Sequence, residues 1–287
     1  MDFLQNHHAP ELLPQLHQWI AQNEDGHYCW LMDGSQLSAK EKRCLQRRQP
    51  WQRALDNSPM AQLEDFGPLI WTQPLHLQEW WPEWLAITSG RPLLSVVEFR
   101  HAIPDSTFWH WLSDFRTDDG QKLLLRFADT HTLANVLQLM SDEQLTLLGS
   151  QVARWGWIDR TGEWESAALR DTPAIPKPWE PLEFTQEQFD RMMQHALPDM
   201  LIPTLEHYSV MLPEELTPHA LHQRLIILSN AINQYGIEDA ASQAFFVRTA
   251  FLEGDEFHLE PKYASNWSKT KNGTPWLKLY WVTLSAL

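Results

Sequence analysis

The sequence predicts an α/β N-terminal lobe, with a mixed or parallel sheet flanked by helices, followed by an all-α C-terminal lobe with a β-prone tail. Three observations indicate this class. Short apolar runs alternate with amphipathic stretches up to about residue 170. Four prolines then fall between residues 171 and 184, and helical periodicity dominates the chain that follows. We therefore expect an α/β domain over 1–170, a stiff Pro-rich linker over 171–184, and a helical lobe with an aromatic tail over 185–287.

The opening segment alternates between helical and strand patterns. Leucine and tryptophan at helical spacing predict the first helix, and the β-prone run HYCWLM predicts the first strand, which ends at Asp33 and Gly34. A basic helical pattern, another apolar run and an aromatic helical pattern follow. We expect helix 12–22, strand 27–32, helix 35–48, strand 66–71 and helix 76–87.

The stretch over 90–140 is the centre of the predicted lobe. Its patterns give the order strand 92–99, helix 105–115, strand 121–127 and helix 130–140, followed by helix 143–150 and a β-hairpin over 154–165. Asp105 or Ser106 has the N-cap position of the first of these helices, and Asp-Asp-Gly at 118–120 supplies the turn into the second strand. We expect this strand-helix-strand unit to lie in a sheet covered by helices on both faces.

The region after the linker predicts a small helical bundle. Helical spacing and capping residues predict four helices, which begin near Thr185, Pro198, Pro218 and Glu238. Pro198 is expected to separate the first helix from the second, because proline lacks the backbone N–H that a helix interior uses. The final run WLKLYWVTL, residues 276–284, is aromatic and predicts a strand that docks internally or binds a partner.

Composition indicates which partners are disfavoured and in which cellular compartment the protein is expected. The formal charge is −15 with an isoelectric point near 5.2, which opposes attraction to nucleic acid or to anionic membranes. Two cysteines, Cys29 and Cys44, without metal-binding spacing are typical of a reducing compartment. We expect a cytoplasmic protein without membrane insertion. Its sixteen tryptophans are expected mostly in cores, with interfaces as the alternative.

Candidate catalytic chemistry is limited to one place. The sequence contains no phosphate-binding loop, no dinucleotide-binding glycine motif, no HExxH and no GxSxG. Asp129 and His131 follow a predicted strand, near Arg126, where a carboxylate and an imidazole can perform acid–base catalysis. The structural alternative has Asp129 as the N-cap of the next helix and Arg126 paired with a carboxylate, and it is favoured because Asp is a preferred N-cap. We expect no metal site and no cofactor.

Several short strings in the first half of the chain resemble a known bacterial family. They are HYCWLMDGSQL from His27, FGPLIW from Phe66, GRPLLSVVEF from Gly90 and DDGQKLLLRFADTHTLANVL from Asp118. Together they resemble the type VI secretion adaptor family, long catalogued as a domain of unknown function, over about residues 28–140. In this resemblance Asp33, Arg126 and Asp129 are structural positions. The family usually has Asp-Pro where this chain has Asp129-Thr130, so the start of the following helix is expected to differ.

The resemblance implies a cytoplasmic adaptor chaperone rather than an enzyme. Such adaptors hold a toxic effector protein and help to load it onto the trimeric VgrG spike at the tip of the secretion tube. An acidic, tryptophan-rich protein is compatible with covering an apolar effector surface before delivery. We expect the tail residues Trp276, Tyr280 and Trp281 to bind a partner. Two rival hypotheses remain, an immunity protein that neutralises a toxin and an α/β enzyme that uses Asp129 and His131.

Overall fold

The computed structural model describes residues 4–48, 51–56, 67–72, 81–173 and 179–279. The chain divides into two compact units. One unit is Gln5–Met192, and the other is Met1–Leu4 together with Met193–Leu287. The predicted fold class is confirmed, since the first unit combines β-sheet with helices and the described chain beyond β9, from Gln186 to Leu279, has no strand.

Helices and strands follow the predicted order over most of the chain. The helices are α1 Leu12–Ala21, α2 Ala39–Arg48, α3 Trp81–Thr88, α4 Ser106–Ser113, α5 Thr130–Leu139, α6 Asp142–Gly149, α7 Gln186–His207, α8 Pro218–Gln234, α9 Ala240–Glu253 and α10 Ala264–Thr270. The strands are β1 His27–Asp33, β2 Gln52–Arg53, β3 Pro68–Trp71, β4 Leu94–Phe99, β5 Asp114–Thr117, β6 Lys122–Leu124, β7 Val152–Ile158, β8 Trp164–Ala168 and β9 Leu182–Phe184.

Six strands of the first unit form one sheet in the order β2-β3-β1-β4-β7-β8. Every neighbouring pair in this sheet is antiparallel, rather than mixed or parallel as the sequence predicts. Short apolar strands that are buried on both faces look alike in either direction, so the sequence pattern carries no signal for strand direction.

The predicted strand-helix-strand unit does not form in one sheet. β4 belongs to the large sheet, whereas β6 belongs to a second, three-stranded sheet in the order β6-β5-β9. The helix predicted over 105–115 ends early, and its last residues become β5, which pairs antiparallel with β6. The turn at 118–120 closes this hairpin, with Gly120 at φ +86° and its N–H bonded to the Thr117 carbonyl at 2.8 Å. A local hairpin needs only a short turn, whereas a parallel pair needs a crossover.

The predicted linker over 171–184 is partly structured. Residues 174–178 lie outside the described residues. Beyond them, β9 pairs parallel with β5 and completes the small sheet. Leu182 and Phe184 of β9 are buried in the core of the first unit, which explains why this end of the Pro-rich segment is a strand.

The inner strands β3, β1 and β4 of the large sheet are buried on both faces, as their apolar sequences predict. On β1, Cys29 and Leu31 contribute to one hydrophobic core, and Trp30 and Met32 contribute to the other. Successive side chains of a strand point to opposite faces, so each core receives every second residue. Most described tryptophans are core residues, which confirms that expectation for these rings. The buried ones are Trp19, Trp30, Trp51, Trp71, Trp84, Trp109, Trp111, Trp155, Trp157, Trp267 and Trp276.

The C-terminal unit is built around one core that α7, α8 and α9 share. The predicted break at Pro198 is wrong, because α7 continues through both Pro198 and Pro203. Leu201 and Leu205 of α7 are buried in that core, and their packing offsets the roughly 3 kcal/mol that an interior proline costs. The start of α8 is as predicted, with the Thr217 hydroxyl accepting from the Ala220 N–H at 3.2 Å.

The tail is helical where it is described. Residues 276–279 form a helical turn rather than the predicted strand, and residues 280–287 lie outside the described residues. Pro275 precedes this turn, and Trp276 points into the core, so burial of the ring outweighs the β propensity of the segment. Among the described residues, the helices are all too short or too polar to cross a bilayer.

Candidate functional site: a cluster of two carboxylates and an arginine

The three positions singled out by the sequence, Asp33, Arg126 and Asp129, meet in the first unit. Arg126 lies between them: its Nη2 atom is 2.6 Å from Asp33 Oδ2 and 3.7 Å from Asp129 Oδ2. The Asp33 side chain is only 3% exposed and the Asp129 side chain 14%. One guanidinium therefore serves two nearly buried carboxylates, which confirms the predicted pairing of Arg126.

Asp33 is held at the end of β1 by the turn that follows it. Its Oδ1 atom accepts hydrogen bonds from the Ser35 N–H at 2.9 Å and from the Ser35 hydroxyl at 2.7 Å. Arg126 donates to the same hydroxyl at 2.8 Å. An aspartate that bonds the backbone two residues ahead is a typical Asx turn. The carboxylate therefore fixes the turn and the guanidinium at the same time.

Asp129 is the N-cap of α5, as predicted. Its Oδ1 atom accepts from the backbone N–H of His131 at 3.0 Å and of Thr132 at 3.3 Å. Its Oδ2 atom accepts from the Gln36 side chain at 3.3 Å. These bonds satisfy two of the N–H groups that a helix start leaves without partners.

Thr130 explains how the chain differs from the Asp-Pro of the family it resembles. Its N–H donates to the Pro92 carbonyl at 3.1 Å, and its hydroxyl donates to the Ile158 carbonyl at 3.0 Å. A proline has neither donor. The threonine therefore ties the start of α5 to the segment just before β4 and to the last residue of β7, and α5 begins at the residue after Asp129.

The electrostatics of the cluster are dominated by burial. Burial and the neighbouring Asp33 carboxylate raise the pKa of Asp129 to about 6, against the lowering effects of Arg126 and of the capping N–H groups. Burial alone lowers the pKa of Arg126, but the Asp33 and Asp129 carboxylates outweigh it and the pKa is raised. The guanidinium is therefore charged at every relevant pH, while Asp129 is the group that changes its charge near neutrality.

In the described part of the chain, the cluster of Asp33, Arg126 and Asp129 does not line a cavity large enough for a substrate. A depression beside Asp33 and Arg126 has a volume of about 10 Å³. That is about the space one water molecule needs. The Oδ1 atom of Asp129 accepts the two N–H groups of the helix cap, and its Oδ2 atom lies beside Gln36 and Arg126. Acid–base catalysis by Asp129 and His131 stays a hypothesis.

The predicted partner-binding residues of the tail are placed differently from the expectation. Trp276 is fully buried, and its ring stacks on Trp267 with centroids 4.5 Å apart. The prediction that Trp276 binds a partner is therefore wrong, because a ring in the core cannot contact a partner while the unit is folded. Tyr280 and Trp281 lie outside the described residues.

Metal ligands do not come together in the described chain. It contains no group of three or more His, Cys, Asp or Glu side chains that can hold a metal ion.

A second charged cluster was missed at the sequence level. Glu98 of β4 lies between Tyr28 of β1 and Arg154 of β7 in the register of the large sheet. Arg154 forms an ion pair with Glu98, stacks over the Trp19 ring at 4.5 Å and donates to the Tyr28 hydroxyl at 3.2 Å. Burial, with Glu98 next, raises the pKa of Tyr28 to about 12. The signal in the sequence was a single charge inside each apolar strand, in VVEF and in VARWGWI.

Comparison with known proteins gives one match. Residues 28–147 match the family model described as Domain of unknown function (DUF4123), which covers less than half of the chain. Asp33, Arg126 and Asp129 all lie within the matched residues. No curated protein and no solved structure matches the chain.

Proposed function

We propose that this protein is a cytoplasmic adaptor chaperone of a bacterial type VI secretion system, which binds a toxic effector and loads it onto the VgrG spike. The match of residues 28–147 to the DUF4123 family model carries the proposal. The strings that resemble the type VI adaptor family lie almost entirely within the same residues. In this function the protein acts by binding and has no catalytic step of its own.

The physical properties of the chain support a binding function. Its charge of −15 favours partners with basic surfaces. Large apolar side chains are exposed in the C-terminal unit, and such side chains are typical of surfaces that bind other proteins. The most exposed are Met211, Leu252, Leu259, Ile227 and Met200.

The cluster of Asp33, Arg126 and Asp129 supports the proposal indirectly. It fixes the end of β1 and the start of α5 with buried charge pairs, so the two elements keep one geometry. Buried ion pairs are weak sources of stability, and one attested use is to specify a single arrangement. In the proposed function the cluster makes the first unit a rigid body for partner binding.

Affinity purification from the bacterium that makes the protein tests this function. The tagged protein is purified from cells grown with the secretion system active, and the bound proteins are identified by mass spectrometry. We expect one large effector together with the VgrG spike. Recovery of neither protein, from cells in which both are detected, would contradict the proposal.

Co-expression then separates the adaptor from an immunity protein. The recovered effector is produced in a sensitive host with and without this protein. An immunity protein protects the host by itself, whereas an adaptor leaves the effector toxic. Full protection would therefore contradict the adaptor function.

A further inference from the structure

Helix α7 has apolar side chains on two sides. Leu201 and Leu205 are buried in the core of the C-terminal unit. Met193 and Met200 are 40% and 53% exposed, and helical spacing places them on the side away from that core. They are seven residues apart, so they share one face at a distance of about 10 Å along the helix axis. Core packing of the C-terminal unit accounts for Leu201 and Leu205 but not for Met193 and Met200.

Two more exposed apolar residues follow the two methionines along the chain. Pro203 is exposed and follows Met200 at helical spacing. Met211, just after the helix, is 84% exposed, the highest value among the exposed large apolar side chains of the described residues. We call Met193, Met200, Pro203 and Met211 the methionine stripe.

A tight turn fixes the position of Met211. Ser209 has φ +52°, and the N–H of Val210 donates to the Leu205 carbonyl at 2.9 Å. Val210 is buried beside Leu205 in the same core. This arrangement is a Schellman helix end, with its hydrophobic contact. This hydrogen bond defines the exit of the chain from α7, and Met211 follows that exit as an exposed side chain.

The stripe lies in a stretch of chain without positive charge. No Lys or Arg occurs between Arg191 and Arg224. Four carboxylates lie in this stretch, namely Asp199, Glu206, Glu214 and Glu215. By helical spacing, Asp199 and Glu206 form a row along one edge of the stripe, and Glu214 and Glu215 are exposed just beyond Met211. Between Arg191 and Arg224, the Asp, Glu, Lys and Arg side chains are therefore all acidic.

We propose that the methionine stripe binds a basic amphipathic helix of a protein partner. The proposal deepens the adaptor function and rests on it for the identity of the partner, an effector or the spike. Apolar side chains of the partner helix pack on the methionines, and its Lys and Arg side chains lie over the acidic edge.

The chemistry of the stripe fits this occupant better than other protein segments. Methionine is flexible and polarizable, and it is common at surfaces that accept apolar helices. The seven-residue spacing of Met193 and Met200 matches the repeat with which a packed helix presents its own apolar side chains. An acidic partner segment is disfavoured, because like charges across an interface repel.

A peptide-binding experiment on the full chain tests the proposal. The probe is a fluorescein-labelled amphipathic helical peptide made of leucine and lysine, and a matched peptide has glutamate in place of lysine. Binding is measured by fluorescence anisotropy at pH 8. Salt at about 0.15 M limits long-range attraction. We expect saturable binding of the lysine peptide and none of the glutamate peptide.

Two variants in the stripe and one outside it identify the surface. Met200→Asp and Met211→Asp each should weaken binding of the lysine peptide at least tenfold, because an apolar contact is lost. Leu252→Asp is the matched control. Leu252 is 74% exposed at the end of α9, and its replacement by Asp adds the same negative charge. It should leave the affinity unchanged. Thermal melts confirm that all three variants are folded, and Met211→Asp avoids any effect on helix propensity.

The negative charge that each variant adds separates binding at the stripe from general attraction of the basic peptide to an acidic protein. If general attraction to an acidic protein were the cause, all three variants would bind the basic peptide equally well or more tightly. Equal affinities, no binding to the unmodified protein, or binding of the glutamate peptide would overturn the proposal. Light scattering tests whether a second copy of the chain binds to the methionine stripe. Self-association that Met200→Asp abolishes would also overturn the proposal.

Failure of this proposal is distinguishable from failure of the adaptor function. The peptide experiment needs no effector, whereas the function is tested by the effector and spike that co-purify. Effector capture that survives Met200→Asp and Met211→Asp contradicts the stripe as the effector site and leaves the adaptor function standing. Peptide binding that the stripe variants abolish, with neither effector nor spike recovered, supports the stripe and contradicts the function.

Discussion

Replacing Asp129 by asparagine separates its role as a helix cap from the effect of its charge. Asn caps a helix about as well as Asp, so the hydrogen bonds from His131 and Thr132 are kept. The negative charge beside Asp33 is removed. The variant therefore measures what the second buried carboxylate of the cluster does to stability.

The magnitude follows from the pKa of Asp129. It is raised from 3.8 to about 6 in the folded protein. A shift of about two units corresponds to roughly 3 kcal/mol and already includes the attraction to Arg126. It is an upper bound, because the amide nitrogen of Asn cannot accept the hydrogen bond that Gln36 donates to Asp129. We expect Asp129→Asn to raise the free energy of unfolding at pH 7.5 by about 1–2 kcal/mol.

The sign of the pH dependence follows from proton binding. The folded state holds a proton on Asp129 at pH values where the unfolded chain has released it. The stability that this proton gives is complete below pH 3.8 and is lost as the pH rises through about 6. The difference between the Asn variant and the unmodified protein should therefore grow from pH 4 to pH 7.

Urea unfolding followed by circular dichroism, at several pH values over this window, is the assay. Asp105→Asn is the matched control, because Asp105 caps α4 with a bond from the Thr107 N–H at 3.0 Å and lies outside the carboxylate pair. Because its replacement leaves the Asp33–Asp129 pair intact, Asp105→Asn should not raise the free energy of unfolding at pH 7.5. If Asp129→Asn destabilises the protein by the same amount at every pH, Arg126 fully compensates Asp129 and the reasoning is wrong.

Three further substitutions test other parts of the structure, each by urea unfolding. Ser209→Gly should stabilise the protein by about 0.5–1 kcal/mol, because a non-glycine residue at φ +52° is strained, and a loss of stability would contradict the Schellman end of α7. Thr130→Pro should destabilise it by roughly 1–3 kcal/mol, because the bonds to Pro92 and Ile158 are lost, and a neutral result would show that these bonds do not matter. Trp276→Ala should destabilise it by roughly 3–5 kcal/mol, as expected for a buried ring, whereas a surface residue would give almost no change.

Local signals in the sequence predict much of the fold. Helical spacing with a cap residue located α4, α5 and α8, because a cap such as Asp129 or Thr217 fixes where a helix begins. Apolar runs located β1, β3 and β4 of the large sheet, whereas β2 lies in a segment that was expected to be a loop. The direction and partners of those strands depend on contacts between distant residues, so the second sheet and its hairpin were not predicted.

The errors have a common physical origin in tertiary packing. Pro198 breaks an isolated helix, yet α7 continues because Leu201 and Leu205 are buried beyond it. Trp276 has a high β propensity, yet it lies in a helical turn because its ring fills the core against Trp267. In both cases burial of apolar side chains outweighs a local preference.

The candidate site was predicted in part for the same reason. Asp129 and Arg126 are close in sequence, so a cap and an ion pair could be inferred. The pairing of Arg126 with Asp33 joins residues that are 93 positions apart, and only the folded chain brings them together. The methionine stripe required the structure, since the sequence does not tell which face of α7 is buried.

The most direct test of the adaptor function is to compare the proteins exported by the bacterium with and without this chain. Quantitative mass spectrometry of the culture medium measures the effector and the VgrG spike in both strains. We predict that one effector is lost from the medium when the chain is absent, that it returns when the chain is restored, and that other exported proteins are unchanged. Export of every effector at its normal level in the strain that lacks the chain would contradict the proposed function.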